Sequence, residues 1–188
     1  MDATSVGTHT TDGSRREQVL AAALDTFVRY GYRKTSMEDV ARAADISRPG
    51  LYLMFGSKQQ LFATAVTHAL DGSIAAVTQI LTDLTRPVRD RLLDAFDQWT
   101  GRYIGTMSRE VNALVEEYRD LLGPIVTDYP AQFAALVETA LAGSPNTAPR
   151  SAAIAQTLIS TSIGIKQQVT TRAEFRERLA TAADLIVG

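Results

Sequence analysis

Residues 35–58, TSMEDVARAADISRPGLYLMFGSK, read as two short helices joined by a tight turn. Thr35 and Ser36 are good N-cap residues and Asp39 lies three after Ser36. With Met37, Val40, Ala41 and Ala44 recurring at helical spacing, a helix is predicted over 37–44. Asp45, Ile46 and Ser47 make the turn, Ile46 plugging the angle between the helices and Ser47 capping the second. Pro49 falls in the first turn of that second helix, where its missing N–H costs nothing, and Leu51, Tyr52 and Phe55 follow before Gly56. Helices of about two turns do not stand alone in water, so the pair must lean on its neighbours.

On the N-terminal side, Val19, Leu20, Ala23, Leu24, Phe27 and Val28 form one apolar stripe. A capping-box pattern at Ser14 and Glu17 opens it and Gly31 closes it. On the other side Ser57 caps a helix predicted over 58–85, with Leu61, Phe62, Ala65, Val66, Ala69, Ser73, Val77, Ile80 and Leu84 along one face. At about 1.5 Å per residue it spans roughly 40 Å, enough to belong to a head at one end and a second body at the other. Beyond Arg86-Pro87, helices are predicted over 88–107, 109–121 and 124–142, the last kinked or restarted at Pro130. After the loop GSPNTAP, two more follow over 151–168, where Gly164 allows a close helix approach, and 172–186. The expected fold is therefore all-α. A mobile tail (1–14), poor in apolar residues, precedes a three-helix head with a helix-turn-helix (15–60) and a helical body (61–188) entered through the long linking helix.

The chain has 188 residues, 45% of them hydrophobic, so a sizeable core is available. It contains no cysteine, which excludes a disulfide framework, a thiolate metal site and a cysteine nucleophile, and fits a reducing compartment. No unbroken apolar run approaches the roughly 18 residues of a spanning helix, and the N-terminus lacks the basic start and apolar middle of a signal peptide. A cytoplasmic protein without membrane association is expected. The net charge is −2, but residues 15–58 carry eight Lys/Arg against five acids while 59–188 carry eleven against fourteen, so the positive excess lies in the first quarter.

A helix-turn-helix sets the N-terminal residues of its second helix against base edges in the major groove. Here these are Ser47, Arg48, Pro49 and Gly50. Arg48 alone among them can make a bidentate contact to guanine, and Gly50 permits close backbone approach. Thr35, Ser36 and Tyr52 suit phosphate oxygens, and Lys58 adds charge at the positive end of the long helix. Spacing alone also admits an ordinary helical hairpin with Tyr52 and Phe55 as core. The stretch TSMEDVA-RAA-DIS-RPGLYLMF-GSKQQLF moreover resembles the DNA-binding domain of tetracycline-repressor-like (TetR) transcriptional regulators, over about 45 residues from Arg16 to Phe62. The resemblance implies an all-helical homodimer with a three-helix head, a linking fourth helix and a ligand-binding body. It puts Arg48, Pro49, Gly50 and Tyr52 at the DNA, Thr35 and Ser36 on the backbone and Lys58 on phosphate. Two departures stand out. Asp45 occupies a turn position where the family usually has Gly, so it must adopt a left-handed conformation. Leu53 and Met54 replace the aromatic or His common before the last Phe, which removes hydrogen-bonding capacity.

In the second body, Phe96, Trp99, Tyr103 and Met107 form a bulky stripe that is either core or, joined by Tyr118, the wall of a pocket for a small hydrophobic or aromatic ligand. The closing helices carry Ile154 and Leu158, and then Phe175, Leu179, Ala182 and Ile186 at packed-seam spacing, which are assigned to a dimer interface. Enzyme chemistry is not expected. The two histidines, His9 and His68, stand in no metal-binding motif, and no phosphate-binding glycine loop or nucleophile elbow is present. No cofactor or metal is expected either. The expectation is a homodimeric repressor that binds double-stranded DNA at a palindromic operator and is released by a small-molecule inducer. The alternative is a helical adaptor that binds protein and no DNA.

Overall fold

The computed structural model describes residues 8–105 and 108–187, with side chains described over 13–105 and 113–187. Every regular element among these residues is helical. In order they are α1 (Thr8–Tyr30), α2 (Met37–Ala43), α3 (Arg48–Met54), α4 (Lys58–Thr82), α5 (Val88–Trp99), α6 (Ser108–Glu117), α7 (Arg119–Leu122), α8 (Ile125–Ala142), α9 (Ser151–Gln168) and α10 (Arg172–Val187). Short 3-10 turns occupy Gly101–Tyr103 and Ala148–Arg150.

The chain divides into two compact units, Met1–Ala69 with Glu110–Gly123, and Leu70–Arg109 with Pro124–Gly188. The first is built on the predicted stripes. Val19, Leu20, Ala23 and Phe27 of α1 are buried, as are Met37, Val40 and Ala41 of α2, Leu51 of α3, and Leu61, Phe62 and Ala65 of α4. Phe27 and Phe62 meet edge to face at 5.1 Å, and Tyr32 packs on both. Tyr118 joins the same cluster, 4.8 Å from Tyr32 and 6.1 Å from Phe62, so a segment from late in the sequence completes the first unit. Gly31 ends α1 at φ 80°, as its position predicts.

Helix α1 begins at Thr8, six residues before the predicted cap at Ser14. Once a helix is nucleated by its packed turns, each added residue costs only tenths of a kcal/mol, about 1 for Gly, so a weak sequence can be carried along. Of the tail 1–14, residues 1–7 lie outside the described residues and 8–14 are helical.

In the second unit, Val77 and Leu81 of α4, Leu92 and Phe96 of α5, Phe133 and Leu141 of α8, Ile154 and Leu158 of α9, and Phe175 and Leu179 of α10 share one core. Helix α4 is long and apolar enough to cross a membrane by length and composition, and about a third of its apolar window (33%) is buried inside the protein, Leu61 and Phe62 fully so. It stops at Thr82, short of the predicted residue 85, because the Asp83 carboxylate takes hydrogen bonds from the Thr85 N–H and hydroxyl and turns the chain. Arg91 then donates to the Leu81 carbonyl at the helix end.

Helix α5 stops at Trp99, well before the predicted residue 107. Asp97, almost fully buried, accepts from Arg172 Nε and Nη2 at 2.9 and 2.7 Å and from Arg176 at 3.3 Å, which ties α5 to α10. The chain turns tightly around that carboxylate at Gly101, where a Cβ would stand 2.3 Å from Asp97 Oδ1. Arg176 and Arg86 both bind Asp94. Although burial pushes the Asp94 carboxyl up, these two guanidinium groups outweigh it and hold it below its ordinary range. Helix α8 runs through Pro130 as one helix, where sequence allowed a restart. At Gly164 a Cβ would meet nothing within 4 Å, so no helix of the same chain makes a close approach there and the face is open.

Candidate nucleic-acid interface

The two short helices are held by local hydrogen bonds that can be read residue by residue. Ser36 Oγ accepts from the Asp39 N–H at 3.1 Å and the Asp39 carboxylate accepts from the Ser36 N–H at 2.9 Å, a complete capping box. The bonds from Ser36, side chain first and then backbone, hold the Asp39 carboxyl below its ordinary range. Asp45 takes φ 51°, the left-handed conformation anticipated for it, and the next N–H, of Ile46, closes onto the Ala41 carbonyl at 3.0 Å. Ser47 caps α3 by accepting from the Gly50 N–H at 3.1 Å. A Cβ on Gly50 would also stand 3.1 Å from Ser47 Oγ, so this glycine protects the cap as well as leaving the backbone bare.

Leu51 faces the core at 0% exposure, which fixes the rotation of α3. At 100° per residue, Arg48 and Tyr52 fall on one flank, Gly50 on the other, and Pro49 and Leu53 on the meridian opposite Leu51. The Arg48 guanidinium lies 5.8 Å from the Tyr52 ring centroid and 3.9 Å from the Glu38 carboxylate on α2. Arg48, Pro49 and Tyr52 are all exposed. This flank offers a planar fork of five donors, a phenol and a carboxylate, which can recognise base edges and phosphates. Among the described residues no group of three or more His, Cys, Asp or Glu side chains is placed to hold a metal ion.

Two predicted phosphate ligands have other work. Thr35 is 1% exposed, and its hydroxyl donates to the Gly31 carbonyl at 2.8 Å. Lys58 Nζ donates to the carbonyls of Tyr32 and Thr35, both at 3.0 Å, and stands 4.4 Å over the Tyr32 ring. Both side chains hold the 31–36 loop, the Thr35 hydroxyl from a buried position and the Lys58 ammonium from a half-buried one. Sequence reasoning also passed over Glu38, an exposed residue on the flank of α2, opposite Val40 and next to Ala41 around the helix, within 3.9 Å of Arg48.

The ligand and dimer candidates are distributed differently from expectation. Trp99 stacks on Phe133 at 5.0 Å and 8°, and Phe96 meets the same ring edge to face at 5.1 Å. The Tyr103 hydroxyl lies 3.5 Å from Ser73 Oγ. Met107 lies outside the described residues, and Tyr118 is corrected out of this group because it packs in the first unit. Ile154, Leu158, Phe175 and Leu179 are all under 5% exposed within the chain's own core, so they are core residues and not a surface seam. Ala182 and Ile186 are half-buried. The exposed large apolar residues of the same helices are Ile163 at 56% and Leu185 at 83%.

Residues 19–65 match the family described as bacterial regulatory proteins, tetR family. The HTH-type transcriptional regulator YezE of Bacillus subtilis is 36% identical over 80 residues, 43% of this chain and 41% of that protein. The HTH-type transcriptional activator FasR of Mycolicibacterium smegmatis is 37% identical over 71 residues, 38% of this chain and 32% of that protein. The chain thus matches less than half the length of either relative. Two solved structures share the fold along nearly the whole chain. Reduced NemR of Escherichia coli has TM-score 0.74 at 17% identity, covering 92% of this chain and 98% of that one. A TetR-like regulator of Rhodococcus sp. RHA1 has TM-score 0.65 at 24% identity, covering 90% and 93%.

Proposed function

We propose, on the premise that residues 19–65 belong to the tetR family of bacterial regulatory proteins, that this chain is a cytoplasmic DNA-binding transcriptional regulator whose first unit docks α3 in the major groove. The observation that carries the reading is the exposed Arg48, braced between Tyr52 and Glu38 at the N-terminal end of a helix whose rotation Leu51 fixes. Arg48 reads guanine through O6 and N7, Ser36 and Tyr52 take phosphates, and Ser47, Pro49 and Gly50 keep the helix start thin enough to approach the base edges. Duplexes selected by the protein from a random pool should yield a palindrome with a guanine in each half-site. Arg48→Ala should then cost roughly 1–3 kcal/mol and relax preference at that guanine only. A pool that stays random would sink the DNA-binding reading and leave the protein-adaptor alternative.

The regulator acts as a homodimer in this proposal, its two heads on successive major grooves about 34 Å apart. The open faces of α9 and α10 around Ile163, Gly164 and Leu185 support that pairing. We take the effect to be repression, relieved by a small aromatic or hydrophobic ligand that enters beside Phe96, Trp99 and Tyr103. The Trp99–Phe133 stack supports this, because a ligand ring can take the place of one partner without loss of aromatic contact. Release requires the ligand to favour the DNA-free state by about 1–3 kcal/mol. Trp99, the single tryptophan, reports on it. Any compound that dissociates the complex should change Trp99 emission, and unchanged emission with full release would move the ligand site elsewhere.

A further inference from the structure

Leu53 is the most exposed large apolar side chain described, at 90%, and it sits on the helix that presents Arg48. A single exposed leucine is ordinary on a protein surface. Its place is not ordinary here. Opposite the buried Leu51, the outermost ridge of α3 consists of Pro49 and, one turn on, Leu53, neither of which can donate or accept a side-chain hydrogen bond. The ridge that enters a groove first is thus apolar, with Arg48 and Tyr52 along one side of it. In the major groove the one apolar group that distinguishes base pairs is the thymine C5-methyl.

Resting on the DNA-binding reading above, we propose that Leu53 is a specificity-determining residue that packs against a thymine methyl. Leu53 lies five residues beyond Arg48, an advance of about 7.5 Å along the helix, so this thymine lies about two base pairs from the guanine taken by Arg48. Leucine has no hydrogen-bonding group, so the chain reads this position by apolar contact alone. Its operator preference is for the methyl itself, not for the thymine O4.

The test removes the methyl and nothing else. In the half-site selected by the wild-type protein, each thymine is replaced in turn by deoxyuridine and affinity is measured for wild type and Leu53→Ala. At one position the wild type should lose about fourfold, the equivalent of one buried methyl group at about 0.8 kcal/mol, and Leu53→Ala should bind the two DNAs equally. Because Leu53 is in solvent, the variant should melt at the wild-type temperature. Insensitivity of the wild type to every deoxyuridine, or a sensitivity that persists undiminished in Leu53→Ala, overturns the assignment. Either result would leave Arg48-dependent selection intact, whereas failure to select any sequence strikes at the DNA-binding reading itself.

Discussion

Leu179→Asp is expected to unfold the second unit rather than to release folded monomers. The spacing of Phe175, Leu179 and Ala183 describes a stripe on α10, and all three are at most 1% exposed, packed with α5, α8 and α9 of the same chain. Truncating a buried leucine costs about 2–5 kcal/mol through lost transfer energy and the cavity left behind. A carboxylate at that site adds the cost of burying a charge, or of protonating it, without a partner. The sum is comparable with the whole stability of a domain, about 5–15 kcal/mol, so loss of helical circular dichroism and aggregation should follow at ambient temperature. Leu185→Asp is the contrast. At 83% exposure it has little to lose in the monomer, so its melting temperature should hold. If light scattering then shows a smaller particle, the dimer face lies on that side of α10. Folded monomers from Leu179→Asp would restore the original assignment of this seam to the interface.

The contrast between those two leucines marks where the sequence stops being legible. Periodicity reports that one side of α10 is apolar, but the same pattern serves a core and a subunit interface, and only the neighbours decide. The helix-turn-helix is the opposite case. Ser36 with Asp39, Asp45, Ser47 and Pro49 act within four residues of themselves, so their chemistry is visible in the order of the letters. Thr35 differs: its hydroxyl bond to the Gly31 carbonyl is just as local, but the side chain is 1% exposed beside the Thr26 carbonyl of α1, and that burial is not visible in the order of the letters. The extent of α5 is likewise set from afar, by Arg172 and Arg176 gripping Asp97 from 75 and 79 residues away. Tyr118 is the extreme example, since nothing local says that it completes an aromatic cluster with Tyr32 and Phe62.

Lys58 is the residue for which the two kinds of reading predict opposite experiments. A lysine at the first position of α4, on the basic part of the chain, is well placed to touch a phosphate. Were that its role, Lys58→Met would leave the melting temperature alone and reduce the slope of log affinity against log salt by about one. In the structure its ammonium instead donates to the Tyr32 and Thr35 carbonyls, each at 3.0 Å, and caps the face of the Tyr32 ring. Methionine keeps most of the chain volume but offers no donor, and the two carbonyls lose their charged partner. A hydrogen bond to a charged group is worth about 1.5–3 kcal/mol, less where water can replace it, and Lys58 is half-buried. The expected loss is therefore about 2–4 kcal/mol. On a unit of this size each kcal/mol lowers the melting temperature by about 4–8 °C, so the variant should melt roughly 8–30 °C early. DNA affinity should fall as well, through the loosened 31–36 loop that carries Ser36 to its cap, but with the salt slope of the wild type. A shallower slope at an unchanged melting temperature would return Lys58 to the phosphate backbone.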